Sequence, residues 1–293
     1  MQISRRRAVL GLLLPLFACT EAAEDPRTPT RPMGSPPARV LAANSSAFDL
    51  LVDLLPRDRL VAIPAPALEW SPLPGGREAW TDFPVLERFE GELLLALDAD
   101  LLVVSSWSDQ APIAIAREAG IAILELPDAS TWAELVDTVR VVGAAVGAKE
   151  RALELVADLE ARRAALATRA GTPLRILPYA NFGAGGTTAG GDTTVDLLIR
   201  LAGHRNAAAE AGLVRHSDLD LEQVLAIDPD LFLTASGRDG VHPGANFLRG
   251  EDVLKGLRAI QEDAIVVLPA ELYSTASHRV LDAAEELASR LRR

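Results

Sequence analysis

The sequence is poor in cysteine and in aromatic side chains. Cys19 is the only cysteine among the 293 residues, so no disulfide can form within the chain. Aromatic residues make up 4% of the composition and include four tryptophans, so few large ring surfaces are available to contact a ligand. Short repeats with a period of about 20–50 residues are absent as well, which excludes solenoid and propeller architectures.

Basic residues are also in deficit. The chain has 29 lysines and arginines against 41 aspartates and glutamates, which gives a formal net charge of −12. A protein this acidic repels nucleic acid and anionic lipid headgroups, so neither is an expected partner. A basic patch on another protein would attract it.

The motifs of several enzyme classes are missing. The chain has neither the G-x-S-x-G nucleophile elbow nor the H-E-x-x-H helix. The glycine-rich stretch GAGGTTAGGDTT lacks the lysine of a phosphate-binding loop, and its glycines do not match the G-x-G-x-x-G spacing. These absences weigh against an enzyme, so we expect neither catalysis nor a bound cofactor. An exported α/β enzyme of unknown substrate is the alternative.

Residues 1–18 have the pattern of an export signal. Three arginines, at positions 5–7, precede the apolar run Ala8–Phe17, and a small residue precedes Cys19. This run is shorter than the ~20 residues that a membrane-spanning helix needs. The stretch SRR followed by an apolar run resembles a twin-arginine signal.

The stretch LFAC, which ends at Cys19, resembles a lipobox. It predicts that Cys19 is acylated and tethers the protein to a membrane that the chain does not span, with simple secretion as the alternative. Residues 19–38 are rich in proline and polar side chains and predict a flexible tether. The expected location is therefore periplasmic or extracytoplasmic, with a lipid anchor.

From residue 39 onward, strand and helix patterns alternate. The strands are short apolar runs suited to burial on both faces, which is typical of parallel α/β sheets. Residues 149–170 predict one helix about 30 Å long, with apolar residues at helical spacing. It separates an N-terminal lobe, 39–148, from a C-terminal lobe, 171–293. The predicted fold class is α/β: two Rossmann-like lobes with central parallel sheets, one long joining α-helix, and a ligand cleft between the lobes.

One motif occurs once in each lobe. ELLLALDADLLVV begins at Glu92, and EQVLAIDPDLFLT begins 130 residues later at Glu222. Each consists of a glutamate, a short apolar helix, an acidic turn and a buried strand. A single recurrence at about half the chain length indicates two similarly built lobes.

Together these features resemble the substrate-binding proteins of ABC importers for cobalamin, ferric siderophores and heme. The resemblance covers residues 39–293, and two positions, Ala99 and His278, carry other residues where the family has proline. The motifs are, in order, RVLAANSSAFDLLVDLL, ELLLALDADLL, KERALELVADLEARRAAL, LLIRLAGHRN, LDLEQVLAIDPDL and YSTASHRVLDAAEELA. The resemblance implies a protein that captures a metal chelate, a cobalt corrinoid or an iron complex, and delivers it to a membrane permease.

The resemblance also implies that one exposed glutamate on each lobe pairs with arginines on the two permease subunits. By position these are Glu92 and Glu222. A carrier with two similar lobes that meets a dimeric pore needs an equivalent anchor on each half, and charge-assisted bonds orient the complex. The alternative, that each carboxylate only favours a helix N-terminus through the helix dipole, is compatible with docking.

The ligand site is expected where loops that follow the strands of the two lobes face each other. Trp107, at the end of a buried strand, is a strong candidate for a platform under a flat ligand. The further candidates are Asn44, Ser45, Trp70, Trp80 and Phe83 in the first lobe, and Tyr179, Phe182, Thr187 and Tyr273 in the second. Packing within a lobe is the alternative for each aromatic residue, and capping of a helix is the alternative for Thr187.

His216 and Arg279 complete the candidates. The resemblance places His216 where cobalamin binders carry a ring against the ligand. Stacking, coordination of cobalt or iron, and a solvated loop histidine are its alternatives. Arg279 is a candidate for an anionic group of the ligand, or is simply an arginine at a helix start. Zinc-importing relatives take their metal ligands from both lobes, whereas all four histidines of this chain lie in its second half. The resemblance therefore makes a free-metal-binding protein a weaker alternative, and no metal site is predicted.

Overall fold

The structure, a computed structural model, describes residues 35–169, 171–181, 186–237 and 240–292. The predicted export signal, the acylation site Cys19, all but the last four residues of the predicted tether, and the ligand candidate Phe182 lie outside these ranges. Within the described ranges, no helix combines the length and the apolar composition that crossing a membrane would need.

The first lobe is built on a three-stranded parallel sheet in the order β1-β4-β5. Its elements are β1 (Val40–Ala42), α1 (Ser45–Leu54), β2 (Ile63–Pro64), α2 (Ala67–Trp70), β3 (Val85–Leu86), α3 (Gly91–Ala96), β4 (Leu101–Ser105), α4 (Gln110–Glu118), β5 (Ala122–Leu126) and α5 (Trp132–Ala145). All residues of β1 and β4 are buried, so helices cover both faces of the sheet, as the apolar runs predict. β2 and β3 form a separate parallel pair.

A single helix, α6 (Lys149–Ala167), leads from the first lobe to the second. Its 19 residues give a length of about 28 Å. It begins where the sequence predicts and ends at Ala167, three residues before the predicted boundary. The buried residues Ala152, Val156, Leu159 and Leu166 recur at helical spacing, and the helix packs against α5.

The second lobe is built on a four-stranded parallel sheet in the order β12-β11-β6-β9. Its strands are β6 (Arg175–Pro178), β7 (Ala180–Asn181), β8 (Gly186–Ala189), β9 (Arg205–Asn206), β10 (His216–Asp218), β11 (Leu231–Ala235) and β12 (Ile265–Leu268). Its helices are α7 (Thr194–Leu201), α8 (Ala207–Glu210), α9 (Leu221–Ile227), α10 (Pro243–Gly250), α11 (Arg258–Gln261), α12 (Ala270–Tyr273) and α13 (Val280–Arg290), with a 3₁₀ turn at Asp252–Gly256.

The second lobe also contains an antiparallel sheet that the sequence does not predict. Its order is β10-β8-β7, and β8 lies in a stretch that the sequence indicates as a glycine-rich loop. Glycine is required at one edge of this sheet because a Cβ at Gly190 would overlap the carbonyl of Leu213. Gly186 and Gly190 therefore allow close backbone approach at this sheet.

The repeated motif occupies the same place in both lobes. Each time it forms a short helix, α3 or α9, followed by an inner strand of the parallel sheet, β4 or β11. In the first lobe β4 lies between β1 and β5, and in the second lobe β11 lies between β6 and β12. The register of the paired residues is the same in both lobes. In the first lobe, paired residues across β1, β4 and β5 are Leu41, Leu102 and Ile123. The equivalent residues across β6, β11 and β12 of the second lobe are Leu177, Phe232 and Ile265. The lobes are therefore copies of one architecture at the level of backbone pairing.

A duplicated arginine clamp holds the C-terminal end of each repeat helix. In the first lobe, Arg39 Nε donates to the carbonyl of Asp98 over 2.6 Å, and Arg39 Nη2 donates to the carbonyl of Leu97 over 2.8 Å. In turn, Asp100 Oδ2 accepts from the backbone N–H of Arg39. Asp98 takes a left-handed φ of 49°, where the helix ends.

The second lobe repeats this clamp residue for residue, with Arg175 Nη1 in the place of Arg39 Nε. Arg175 Nη1 and Nη2 donate to the carbonyls of Asp228 and Ile227, each over 2.8 Å. Asp230 Oδ2 accepts from the backbone N–H of Arg175, and Asp228 has a φ of 43°. Because equivalent bonds hold α3 and α9, each helix presents its surface in the same orientation relative to the sheet of its own lobe.

The apolar core is continuous from one lobe to the other. One cluster of buried side chains runs from Phe48 and Leu101 in the first lobe, through Val156 of α6, to Leu198 and Leu281 in the second. A wide opening of the lobes would expose part of this core to water, which is unfavourable. The shared core and the stiff linking helix together predict that the lobes close on a ligand by only a few degrees.

Candidate functional site

A cleft of about 500 Å³ lies between the lobes. Its first-lobe wall includes the last residues of β4 and β5, Ser105 and Leu126, and the segments that follow them. Its second-lobe wall comes from residues 192–194, 215–216 and 276–278. Clefts of this volume hold small molecules, and the carboxyl ends of parallel strands are where α/β proteins bind them.

Trp107 is the large aromatic side chain of the cleft. It follows β4, and it is 62% exposed. The turn that carries it is closed by Ser108, whose Oγ accepts from the Ser105 N–H over 3.0 Å, and Asp109 then caps α4. With its neighbours fixed in this way, the indole lies against the open cleft rather than in the core, so a ligand can cover it.

Asp128 lies on the same wall, in the segment after β5. Its Oδ1 accepts from Ser106 Oγ over 2.8 Å, which joins the loops after β4 and β5. Ser130, two residues further on, also lines the cleft, and its backbone N–H donates to Glu134 Oε2. Hydrogen bonds with Ser130 and Thr131 hold the pKa of Glu134 below its ordinary value.

The second-lobe wall has two residues in left-handed backbone conformation. Asp192 has a φ of 59° and Arg215 a φ of 56°, a region that residues with a Cβ seldom occupy. The Arg215 N–H donates to the Gly191 carbonyl over 2.7 Å, which holds the two segments together. This bonding places Arg215 and the exposed His216 at the cleft, opposite the first-lobe wall.

A buried polar cluster connects the lobes at the cleft. Ser277 Oγ donates to Asp49 Oδ2 over 2.9 Å, and Asp53 Oδ2 lies 2.8 Å from His278 Nε2 and 3.0 Å from Arg279 Nη2. The two aspartates come from α1 and the other three residues from the segment before α13. Ser277 and His278 also line the cleft, so one face of the cluster meets the ligand space.

The two aspartates of this cluster have opposite pKa shifts. Burial raises the pKa of Asp49 above its ordinary value, more than Ser71, Arg279 and Ser277 lower it. Burial also raises the pKa of Asp53, but the hydrogen bond from His278 and the charge of Arg279 outweigh it and hold the pKa below its ordinary value.

Among the predicted ligand residues, the structure brings Trp107 and His216 to the cleft. The two come from different lobes and lie on opposite walls. Their role in binding stays a prediction, and it is the one that the geometry supports best.

Three predicted ligand residues are instead used inside their lobes. Asn44 is 7% exposed, donates from Nδ2 to Ser105 Oγ and caps α1 through Oδ1. Trp80 is 4% exposed and packs edge-on against Phe83 at 5.1 Å between ring centroids. Tyr179 is 1% exposed and stacks on another aromatic ring of its lobe core. For Trp80 and Tyr179 the structure therefore shows the alternative, which is packing within a lobe.

The remaining candidates do not line the cleft either. Trp70 and Tyr273 end α2 and α12, two short helices that pack against each other between the lobes, and burial raises the pKa of the Tyr273 phenol. Ser45 begins α1, one residue before Ser46, which lines the cleft. The hydroxyl of Thr187 faces a backbone carbonyl within its sheet, and α7 is capped by another threonine.

Arg279 needs a separate correction because its guanidinium pairs with carboxylates of the protein itself. It is not among the residues that line the cleft, and its guanidinium contacts Asp53 and Asp282. The structure therefore favours the alternative of an arginine at a helix start. This arginine also joins the two lobes.

Four residues that line the cleft were not among the ligand residues predicted from the sequence: Asp128, Arg215, Ser277 and His278. The loop after β5, which carries Asp128, could have been predicted as part of the site, because the carboxyl ends of parallel strands meet at the same edge of a sheet. Arg215 is the residue before His216, which the sequence analysis already gives as a candidate. The buried pairing of Asp49 and Asp53 with the segment before α13 has no sequence signal, since it joins positions more than 220 residues apart.

Two further findings concern charged groups. Glu92 and Glu222 are both exposed, as permease docking would require, and docking itself stays a prediction. Among the described residues, no group of three or more histidine, cysteine, aspartate or glutamate side chains is arranged to hold a metal ion.

The fold and the cleft define a two-lobed α/β binding protein, and the comparison with protein families agrees. The chain belongs to the periplasmic binding protein family, whose profile matches residues 73–272. A curated relative, the uncharacterized ABC transporter substrate-binding lipoprotein YvrC of Bacillus subtilis strain 168, is 25% identical over 210 residues. The match covers 67% of this chain and 63% of YvrC, less than two thirds of the relative's length.

Solved structures share this fold. The apo form of the periplasmic heme-binding protein RhuT from Roseiflexus sp. RS-1 is 26% identical, with a TM-score of 0.73 over 86% of this chain and 96% of RhuT. The fold recurs in an ABC-type Fe³⁺-hydroxamate transport protein from Saccharomonospora viridis DSM 43017, at 21% identity, a TM-score of 0.70, and coverage of 88% and 94%. It recurs in the vitamin B12 binding protein BtuF of Vibrio cholerae, at 19% identity, a TM-score of 0.67, and coverage of 88% and 97%.

Proposed function

We propose that this protein is the substrate-binding component of an ABC importer, which captures a metal chelate and delivers it to the membrane permease. The observation that carries the proposal is an open cleft between two matched lobes, each of which exposes a glutamate at the same position of the repeat. The heme, hydroxamate and vitamin B12 proteins that share the fold support a chelate as the class of ligand.

In this proposal the ligand lies between Trp107 and His216. A flat macrocycle or a compact iron complex would cover the indole, which is the exposed large hydrophobic side chain among the described residues that line the cleft. His216, from the other lobe, would stack on the ligand or coordinate its metal. Arg215 and Asp128, which also line the cleft, would supply charged groups that orient the polar edge of the ligand.

Delivery would use Glu92 and Glu222. Both carboxylates are exposed and lie on helices that the arginine clamps hold in matched orientation. Two arginines related by the symmetry of a permease dimer would then pair with them, which sets the orientation of the carrier on the pore. The protein would be exported and, through Cys19, attached to the membrane surface by lipid.

Absorption titrations test the ligand class. The full-length protein, mixed separately with hemin, cyanocobalamin and a ferric hydroxamate, should give saturable spectral change with at least one of them and no product over time. A turnover product from a bound probe, or the absence of saturable change with all three, would count against the proposal.

Charge reversal tests delivery. Glu92→Arg combined with Glu222→Arg should leave the affinity for the bound probe unchanged and abolish uptake by cells whose own copy of the gene is replaced. Transport at the normal rate by this double variant would refute the docking role of the two glutamates.

A further inference from the structure

Each repeat helix exposes a leucine three residues after its glutamate. Leu95 is 42% exposed and Leu225 is 37% exposed. The residue before each of them, Leu94 or Val224, is fully buried. The two helices are therefore anchored through the same position and show the same side chain to the solvent.

Exposed aliphatic residues also occur beside both helices. In the first lobe, Ile115 is 43% exposed on α4, and its side chain lies directly over Gly91, the first residue of α3. In the second lobe, Val253 is 52% exposed on the 3₁₀ turn that packs against α9. Each lobe thus combines an exposed leucine, a neighbouring exposed aliphatic residue and an acidic side chain.

Packing inside the chain does not account for this duplication. Single exposed leucines are common on protein surfaces and need no explanation. Here, however, two of them occupy the same position of a repeat whose strands and clamps match residue by residue. The clamp arginines, Arg39 and Arg175, fix the ends of both helices, so the two leucines have the same relation to their sheets.

We infer that Leu95 and Leu225 are paired apolar anchors on the permease docking surface, with the two glutamates as the charged groups beside them. The inference rests on the proposed function, and it commits to one partner: a membrane permease with two equivalent sites, each an apolar depression next to a basic residue. An apolar contact surrounded by charge is the usual anatomy of a protein interface, in which a few buried anchors carry most of the affinity. The acidic net charge of this chain complements the basic residues.

The test is uptake of the probe, among hemin, cyanocobalamin and a ferric hydroxamate, that the protein binds. Leu95→Asp combined with Leu225→Asp should reduce uptake at least about tenfold, because each carboxylate would be buried unpaired in the interface. Affinity for the probe should stay within about twofold of the wild type. Leu153→Asp is the matched control, since Leu153 is 51% exposed on α6, away from both repeat helices, and it should leave uptake unchanged.

The outcomes separate this inference from the function on which it rests. If the double leucine variant transports normally while the double glutamate variant does not, the anchors are refuted and the importer function stands. If both variants transport normally, or the protein binds none of the probes, both proposals fail. Should the aspartate variant unfold, Leu95→Gln with Leu225→Gln replaces it, with the same expectation and circular dichroism as the check of folding.

Discussion

Replacement of Trp107 by alanine is the sharpest test of the cleft. A tryptophan side chain presents up to about 250 Å² to a contact, and Trp107 is 62% exposed in the free protein. About 155 Å² is therefore available, of which a flat ligand on one face would cover roughly half, or about 80 Å². At about 25 cal/mol per Å², this contact contributes about 2 kcal/mol.

The expected effect of Trp107→Ala is a dissociation constant about 30-fold higher for the chelate that the protein binds. The assay is a spectral or fluorescence titration, with thermal unfolding measured in parallel. The unfolding temperature should hardly change, because the indole contributes little to the core. Trp70→Ala is the control: Trp70 does not line the cleft, so its loss should leave affinity within about twofold. Equal affinity of Trp107→Ala and the wild type would refute the assignment of this wall to the ligand.

Three further predictions concern stability and motion. Asp53→Asn should reduce the free energy of unfolding at pH 7 by roughly 2 kcal/mol, because His278 and Arg279 lose a charged acceptor. Since the folded pKa of Asp53 lies below its ordinary value, its contribution is present above about pH 4 and is lost as the pH falls through the lowered pKa. A difference between variant and wild type that is the same at every pH in denaturant titrations would contradict this. Arg175→Ala should lower the free energy of unfolding by about 2 kcal/mol, because two helix carbonyls lose their donor. The same variant should reduce uptake more than ligand affinity. Equal loss of uptake and affinity would show that the clamp does not act through docking. Small-angle scattering should show nearly the same radius of gyration with and without ligand, and a change of several ångströms would refute the shared core as a restraint on lobe motion.

Much of the fold was accessible from local patterns. Continuous apolar strands such as Leu101–Ser105 are buried on both faces only in a parallel sheet covered by helices, so they indicated the correct class. The linking helix was accessible because residues 149–167 contain no helix breaker. The sheet formed by β7, β8 and β10 was missed, because glycine and threonine in sequence are equally typical of a loop.

The candidate site was less accessible. Trp107 follows a strand that its apolar run predicts, so its position is readable from the sequence. His216 begins β10, a strand that the sequence does not predict, and only the resemblance to the family made it a candidate. Trp80 and Tyr179 are rare aromatic residues too, but they turn inward, because Phe48 and Phe247 offer them packing surfaces that only the fold brings near. Rarity of aromatic residues therefore indicated that the rings matter, but not whether they serve the core or a ligand.

The sequence by itself determined the duplicated architecture of this protein. Burial patterns and turn residues act over a few neighbouring positions, so Glu92 and Glu222 could be placed at the start of two equivalent helices before any coordinates were known. Only the tertiary structure decided which side chains share a surface. The clamp arginines, the cluster of Asp49 and Asp53 with the segment before α13, and the walls of the cleft all depend on contacts between distant positions. Such contacts arise from the packing of whole elements, and no local pattern encodes them.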